Sequence, residues 1–207
     1  MVLTPRRLSA DERRRLDDLW ERRWPGSRPV ADELRDTARA SWVRFHSLPG
    51  SKRYPDDETE YGELLSRHHT VLAELADTVD APRSDDVLLV TVSWSITPRP
   101  RHRARALRRV DPQGRLWRSL LEDPDPGHRC WWHVFVSRQP RTASALDGLL
   151  RIVAHDETAG VIVADPDLRW LYHPYDGGAD VIAPTPAARD ALRAAHNGWL
   201  SADPSGL

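Results

Sequence analysis

The chain is poor in several things that would narrow its chemistry. Cys130 is its single cysteine, so no internal disulfide can form, which fits a reducing compartment. Lys52 is its single lysine, and every other strong base is an arginine. Together with abundant Ala, Pro and Asp, this reads as GC-rich codon usage, as in an actinobacterium. Arginine counts are therefore weak grounds for assigning anion recognition. No apolar run approaches the roughly 20 residues of a membrane helix. The N-terminal MVLTPRRLSADERRR has no apolar core behind its arginines, so no signal peptide is expected there. A cytoplasmic location is the expectation. Charge of one sign is also lacking. The formal net charge is -1, whereas a dedicated nucleic-acid binder is usually basic. The sequence contains no G-x-S-x-G, H-E-x-x-H or G-x-G-x-x-G, and no Walker loop.

What is present suits one globular domain. The chain has 207 residues, enough for a core, and nine tryptophans can fill it with large apolar surfaces. Ser9-Ala10-Asp11-Glu12 has the form of a capping box, and Leu16, Leu19, Trp20 and Trp24 follow at helical spacing until Pro25-Gly26. A shorter helix is expected over 31–40, then a strand from Ser41 to His46. Tyr61, Leu64, Leu65, His68, Leu72 and Leu75 make a helical stripe behind three acids. VLLVTVSW from Val87 reads as a strand. Residues 98–127 read as irregular. CWWHVFVS from Cys130 reads as a central strand. Ser144 is the expected cap of a helix striped by Leu146, Leu149, Leu150 and Val153. Three short strands should follow, turning at Asp165-Pro166-Asp167 and Asp176-Gly177-Gly178. Thr185-Pro186 starts a last helix, Asn197-Gly198 ends it, and Trp199 and Leu200 fold back on the core. The expected class is α+β: a mixed sheet with a C-terminal antiparallel meander, covered by helices. Residues 1–40 would be part of this domain or a flanking extension, 41–201 the domain, and 202–207 a tail.

Two stretches hold the candidate binding residues. WLYHPYDGGADVIAP brings together His173, Tyr175, Asp176 and Asp180. If Asp176-Gly177 is the turn, His173 faces Asp180, a couple that would raise the histidine pKa. If Gly177-Gly178 is the turn, that couple disappears. Both registers are allowed, and Pro174 would suit an edge strand. RFHSLPGSKRYP offers Arg44, His46, Lys52 and Arg53 around Gly50, able to cradle a phosphate or carboxylate. Each stretch also has a plain structural reading, as a hairpin and as a loop tying a strand to a helix. The spacing matches no metal loop. His128, Cys130 and His133 lack paired zinc spacing, and His68 and His69 cannot share one helix face. Eight arginines lie between Arg99 and Arg118 with almost no interleaved aromatics, which favours a solvated crossover over a single-strand platform.

WVRFHSLPGSKRYPDDETEYGELLSRHHTVLAEL (42–75) and YHPYDGGADVIAPTPAARDALRAAHNGWLS (172–201) together resemble a bacterial family, that of domain of unknown function 3885. The matching residues are Arg44, Phe45, Tyr61, Arg67, Tyr175, Asp176, Asp180, Val181, Ile182 and Trp199. The family pattern carries an arginine in the turn, where this chain has Gly177-Gly178, and the arginine-rich middle matches poorly. The resemblance implies one cytosolic domain and brings no catalytic residue, because the family has no assigned activity.

Three functions compete. The favoured one is a non-catalytic module binding a protein or small ligand, for example a toxin that it neutralises. The second is an enzyme on a small anionic substrate, held by Arg44, His46 and Lys52, with His173 and Asp176 or Asp180 as base. The third is nucleic-acid binding through 99–118. No catalytic residue, metal or cofactor is assigned.

Overall fold

A computed structural model describes residues 5–79, 84–123, 125 and 129–201. The expected tail 202–207 and His128 lie outside the described residues. The strands are β1 (Trp42–His46), β2 (Asp86–Ser95), β3 (Arg115–Asp123), β4 (Cys130–Pro140), β5 (Ile162–Ala164), β6 (Leu171–Tyr175) and β7 (Gly178–Ile182). The helices are α1 (Ala10–Arg23), α2 (Leu34–Thr37), α3 (Glu58–Asp77), α4 (Arg105–Val110), α5 (Ala143–Ala154) and α6 (Pro186–Ala195). One open sheet runs β1-β7-β6-β5-β2-β4-β3.

The α+β class holds, but the sheet is not mixed. Every ladder is antiparallel, and the one parallel contact is an isolated bridge between Arg7 and Leu116. The crossovers β1-α3-β2 and β4-α5-β5 do return the chain in its original direction. In each case other strands lie between the two ends, so neighbours always oppose. The C-terminal meander forms as expected. Pro174 does not sit on an edge strand, since β6 lies between β5 and β7. The β5 ladder reaches only Leu171 and Tyr172, so the missing N–H of Pro174 falls beyond it.

Alternation along the strands sends side chains into two cores. One face buries Val43, Phe45, Leu89, Val163, Tyr172 and Val181 under α3, α5 and α6. The other buries Leu88, Val90, Val134, Ile162, Leu171 and Ile182 under α1 and α2. The capping box of α1 closes in both directions, Ser9 N–H to Glu12 (2.9 Å) and Glu12 N–H to Ser9 (3.2 Å). Asp17 then accepts from the Trp117 indole (2.7 Å) and from Arg118. Trp20 meets Trp117 edge-on at 5.8 Å. Residues 1–40 thus contribute a helix to the core itself.

Two expectations fail locally. The helix expected from Ser144 is capped at Thr142, whose side chain makes no cap bond. The segment 98–127 is not irregular: it contains α4 and β3. Register shifts at Leu116/Arg118 and Leu121/Asp123 break the alternation of β3, so Leu116 and Trp117 are buried in succession. Nor are all its arginines solvated. Arg103 is buried against Asp111, donating to its carboxylate, to its main-chain carbonyl (2.6 Å) and to Thr91 (3.2 Å). Gln139 donates to the same carboxylate (3.0 Å). Gly114 leaves room for this guanidinium, since a Cβ there would stand 2.1 Å from Arg103 Cζ.

The two side chains of this pair are only 3% and 2% exposed. Asp111→Ala therefore leaves a guanidinium buried without its counter-ion. The expected loss is about 3–5 kcal/mol of unfolding free energy in urea titrations, with an unchanged denaturant slope. A loss below about 1 kcal/mol would mean that Arg103 reaches water in the variant.

Candidate functional site

The turn residues are Asp176 and Gly177. Tyr175 therefore faces Gly178, Pro174 faces Ala179 and His173 faces Asp180. On its other side β7 pairs with β1, so Arg44 faces Asp180 and His46 faces Gly178. The two stretches singled out in the sequence are thus neighbours. Arg44, Asp180 and His173 form one row across three strands, and His46, Gly178 and Tyr175 form the next. Both rows lie on the α1/α2 face, at the end of the sheet. Gly178 is required here, because a Cβ would lie 2.1 Å from the Phe45 carbonyl oxygen.

Asp180 organises the first row. Arg44 grips it with two parallel bonds, Nε to Oδ1 (2.8 Å) and Nη2 to Oδ2 (2.9 Å), and the Trp42 indole adds a third at 2.9 Å. The guanidinium lies 5.6 Å from the Trp42 ring centroid and 5.1 Å from that of Tyr175. Bonding to Asp180 raises the Arg44 pKa. Burial pushes the Tyr175 hydroxyl up to about 12.

The expected His–Asp couple does not form, although the register would permit it. His173 turns its Nδ1 to the carbonyl of Val161 at 2.8 Å. A carbonyl only accepts, so Nδ1 carries the proton. Burial lowers the pKa of His173, the reverse of the expected direction, with Asp180 opposing only weakly. The carboxylate is already saturated by Arg44 and Trp42.

The remaining cations are occupied by the chain's own acids. Arg53 donates to Asp176 at 2.6 Å, and Tyr54 donates to the same oxygen at 2.9 Å. Lys52 contacts Asp56 at 2.7 Å and Glu60 at 2.5 Å, which ties the loop to the start of α3. His46 is half-buried, its pKa lowered by burial, and its Nε2 has no hydrogen-bond partner. Seven of the eight candidate residues thus gather at one end of the sheet, where Arg44 is paired with Asp180 and Arg53 with Asp176, whereas Lys52 pairs outside the set, with Asp56 and Glu60.

On the opposite face lies a chain that the sequence did not announce. Ser47 Oγ is 3.1 Å from His68 Nε2, and His68 Nδ1 is bonded to the Tyr172 hydroxyl. Ser47, His68 and Tyr172 are 3%, 4% and 1% exposed. The adjoining void is about 10 Å³, room for no more than a water. Burial drives the His68 pKa to about 3. A serine–histidine pair suggests a nucleophile and its base, but no substrate can reach this one. Beside it Arg67 donates to the His46 carbonyl (3.2 Å) and lies 5.0 Å from the Trp199 ring, which stacks on His196 at 4.0 Å. The only hint in the sequence was the place of His68 in the α3 stripe.

His133 bonds Ser95 (2.9 Å) and Ser119 (2.8 Å) through its two ring nitrogens. Among the described residues no group of three His, Cys, Asp or Glu could hold a metal ion. No helix there is long and apolar enough to cross a membrane.

A different kind of surface lies where α1 and α2 stop covering their face. Trp94, Trp132 and Leu120 form a cross-strand row there. Trp94 is 67% exposed, and Ile96, just beyond it, is 72% exposed. Trp94 and Trp132 line a cleft of about 330 Å³ that also receives Asp32 and Glu157. Nearby, three of the eight arginines of 99–118 are ion-paired, Arg103, Arg115 and Arg118. The other five are exposed.

The chain matches the family described as Domain of unknown function (DUF3885) over residues 30–204. No curated protein and no solved structure matches it.

Two predictions follow from this geometry. Asp180→Ala leaves Arg44 and the Trp42 indole without their acceptor in a half-buried site. The expected cost is about 2–3 kcal/mol by chemical unfolding; a cost near zero would show that the row does not hold the sheet end. His68 and His173 both have folded pKa values below their unfolded ones, so the unfolded chain binds more protons. Their contribution is complete above the unfolded pKa and is lost as pH falls toward the folded value. Stability should decline below about pH 6.5, by up to about 1.4 kcal/mol per pH unit for each histidine. In His68→Gln the decline should be shallower in pH-dependent unfolding curves.

Proposed function

Because the chain belongs to the DUF3885 family, which has no assigned activity, its role must come from its own surface, and we propose that it is a non-catalytic protein-binding module. The observation that carries this reading is the exposure of Trp94 and of Ile96 beyond it, at the end of a cross-strand row whose other members, Trp132 and Leu120, are partly buried. Contiguous exposed apolar surface of this kind marks interaction sites, and tryptophan is among the residues most often dominant in interfaces. Asp32 and Glu157 at its margin, with exposed arginines on the neighbouring loop, supply a polar rim. The candidate catalytic groups support the same reading from the other side. Arg44, Lys52 and Arg53 are neutralised by carboxylates of the chain, and Ser47 with His68 is sealed. A toxin neutralised by this cytoplasmic module is one partner of the right kind.

The test is affinity capture with the intact chain and with Trp94→Ala, followed by native mass spectrometry of the captured complex. Trp94 is 67% exposed, so its truncation should change stability by less than about 0.5 kcal/mol. Affinity for the partner should fall about thirtyfold, as for a dominant interface residue of about 2 kcal/mol. Unchanged capture by the variant, or turnover of a small substrate by the purified chain, would overturn the reading.

The five exposed arginines of 99–118 favour a second reading, contact with a polyanion. It predicts affinity for duplex DNA or RNA that falls steeply with salt, on the order of tenfold or more between 50 and 200 mM. Binding absent at low salt removes it.

A further inference from the structure

We infer that the cleft between α1 and the sheet is a binding site for a small amphipathic anion, a compound with an apolar body and a carboxylate or phosphate head. This goes beyond the proposed function, because the cleft is distinct from the Trp94 surface. All of α1 lies before the matched span of 30–204, so the cleft is not a feature the family match carries.

The cleft arises from how α1 is fastened. Its first half is tied to β3, Glu12 to Arg115 at 2.8 Å and Asp17 to Trp117 and Arg118, while its last residue, Arg23, donates to the Asp167 carbonyl at 3.1 Å. Between these two anchors a space of about 470 Å³ is left beside the helix over β2 and β4. That volume lies within the range of about 300–1,000 Å³ typical of small-molecule pockets. Leu16 and Leu19 of α1, Leu88 of β2 and Val136 of β4 form its apolar wall. Leu16 and Leu19 are only partly buried, so apolar surface remains available to a guest.

The polar lining has one sign. Arg15, Arg115 and Arg138 face a single acid, Glu12, which gives three positive charges against one negative, a balance of +2. Glu12 is already committed to Arg115 and to the Ser9 N–H, and these bonds hold its pKa down at about 2. Arg15 and Arg138 have no hydrogen-bond or ion-pair partner among the described residues. The β3–β4 ladder begins at Arg115↔Val136, so the β4 main chain at Ser137 and Arg138 has no strand neighbour on that side. Two unpaired guanidiniums and an open strand edge beside partly bare leucines match an anionic head joined to an apolar body. A bare inorganic anion would leave the wall uncovered, and a cation would meet the arginines.

The test is isothermal titration of the intact chain with octanoate and with octyl phosphate, against octanol and octylammonium as neutral and cationic controls of equal tail length. The expected result is saturable one-to-one binding of an octyl anion, with octanol and octylammonium at least about tenfold weaker. Whichever anion is tighter identifies the head. The double variant Arg15→Gln/Arg138→Gln should lose about tenfold in affinity, since both side chains are exposed and the fold is retained. Leu16→Trp, which fills the cleft from a partly exposed helix position, should abolish binding, while Trp94→Ala should leave it unchanged. Equal binding of the octanol or octylammonium control, undiminished binding in either cleft variant, or no saturable binding of either anion would overturn the inference.

Discussion

Asp180 holds two strands and a carboxylate's worth of charge at the junction where the first strand of the chain meets the last. Its bonds to Arg44 and to the Trp42 indole span β1 and β7 at one register only. A one-residue slip would turn Asp180 into the apolar core under α3 and α6 and leave Arg44 and the Trp42 indole facing Val181. The charge pair therefore acts as a register device, and Gly178 reinforces it by letting the Phe45 carbonyl approach where no other residue would fit. The same satisfaction removes the pair from chemistry. A carboxylate with three donors is a poor general base, and a guanidinium gripping it is a poor anion receptor.

Polar groups are buried at several places in this sheet, and three of them are internally complete in different ways. Asp180 is closed by a bidentate ion pair. Arg103 and Asp111 close on each other, with Thr91 and Gln139 as accessories. Ser47, His68 and Tyr172 close as a neutral hydrogen-bond chain. Such networks add specificity where an apolar core would tolerate several packings. The surfaces left open to other molecules are accordingly those with apolar groups and unmatched charge at their margins, Trp94 with Ile96, and the cleft under α1.

Much of this was legible in the residues. The capping box at Ser9, the α3 stripe, the meander and the Thr185 cap follow from short-range rules and form as read. The two motif stretches were visible as units, but their meeting was not, because strand order in a sheet leaves no local trace. The bulges of β3 hid a strand inside an arginine-rich segment by erasing its period. The fate of His173 depended on which acceptor was nearer, the Val161 carbonyl or a carboxylate that Arg44 had already taken. Sequence spacing carries no information on that competition. Ser47 and Tyr172 were ordinary loop and strand residues until α3 brought His68 between them.

The pairing of β1 with β7 joins Arg44 to a residue 136 positions later. Every strand between them enters the sheet before β1 has an edge to bind. During synthesis, a chain leaving the ribosome can assemble β2, β4 and β5 while Trp42 to His46 waits unpaired, with Val43 and Phe45 exposed. Only after Ile182 has cleared the exit tunnel does the first strand find its place. A chain truncated before the Asp176-Gly177 turn therefore carries an orphan hydrophobic strand at its own beginning, a handle by which quality control can recognise unfinished molecules.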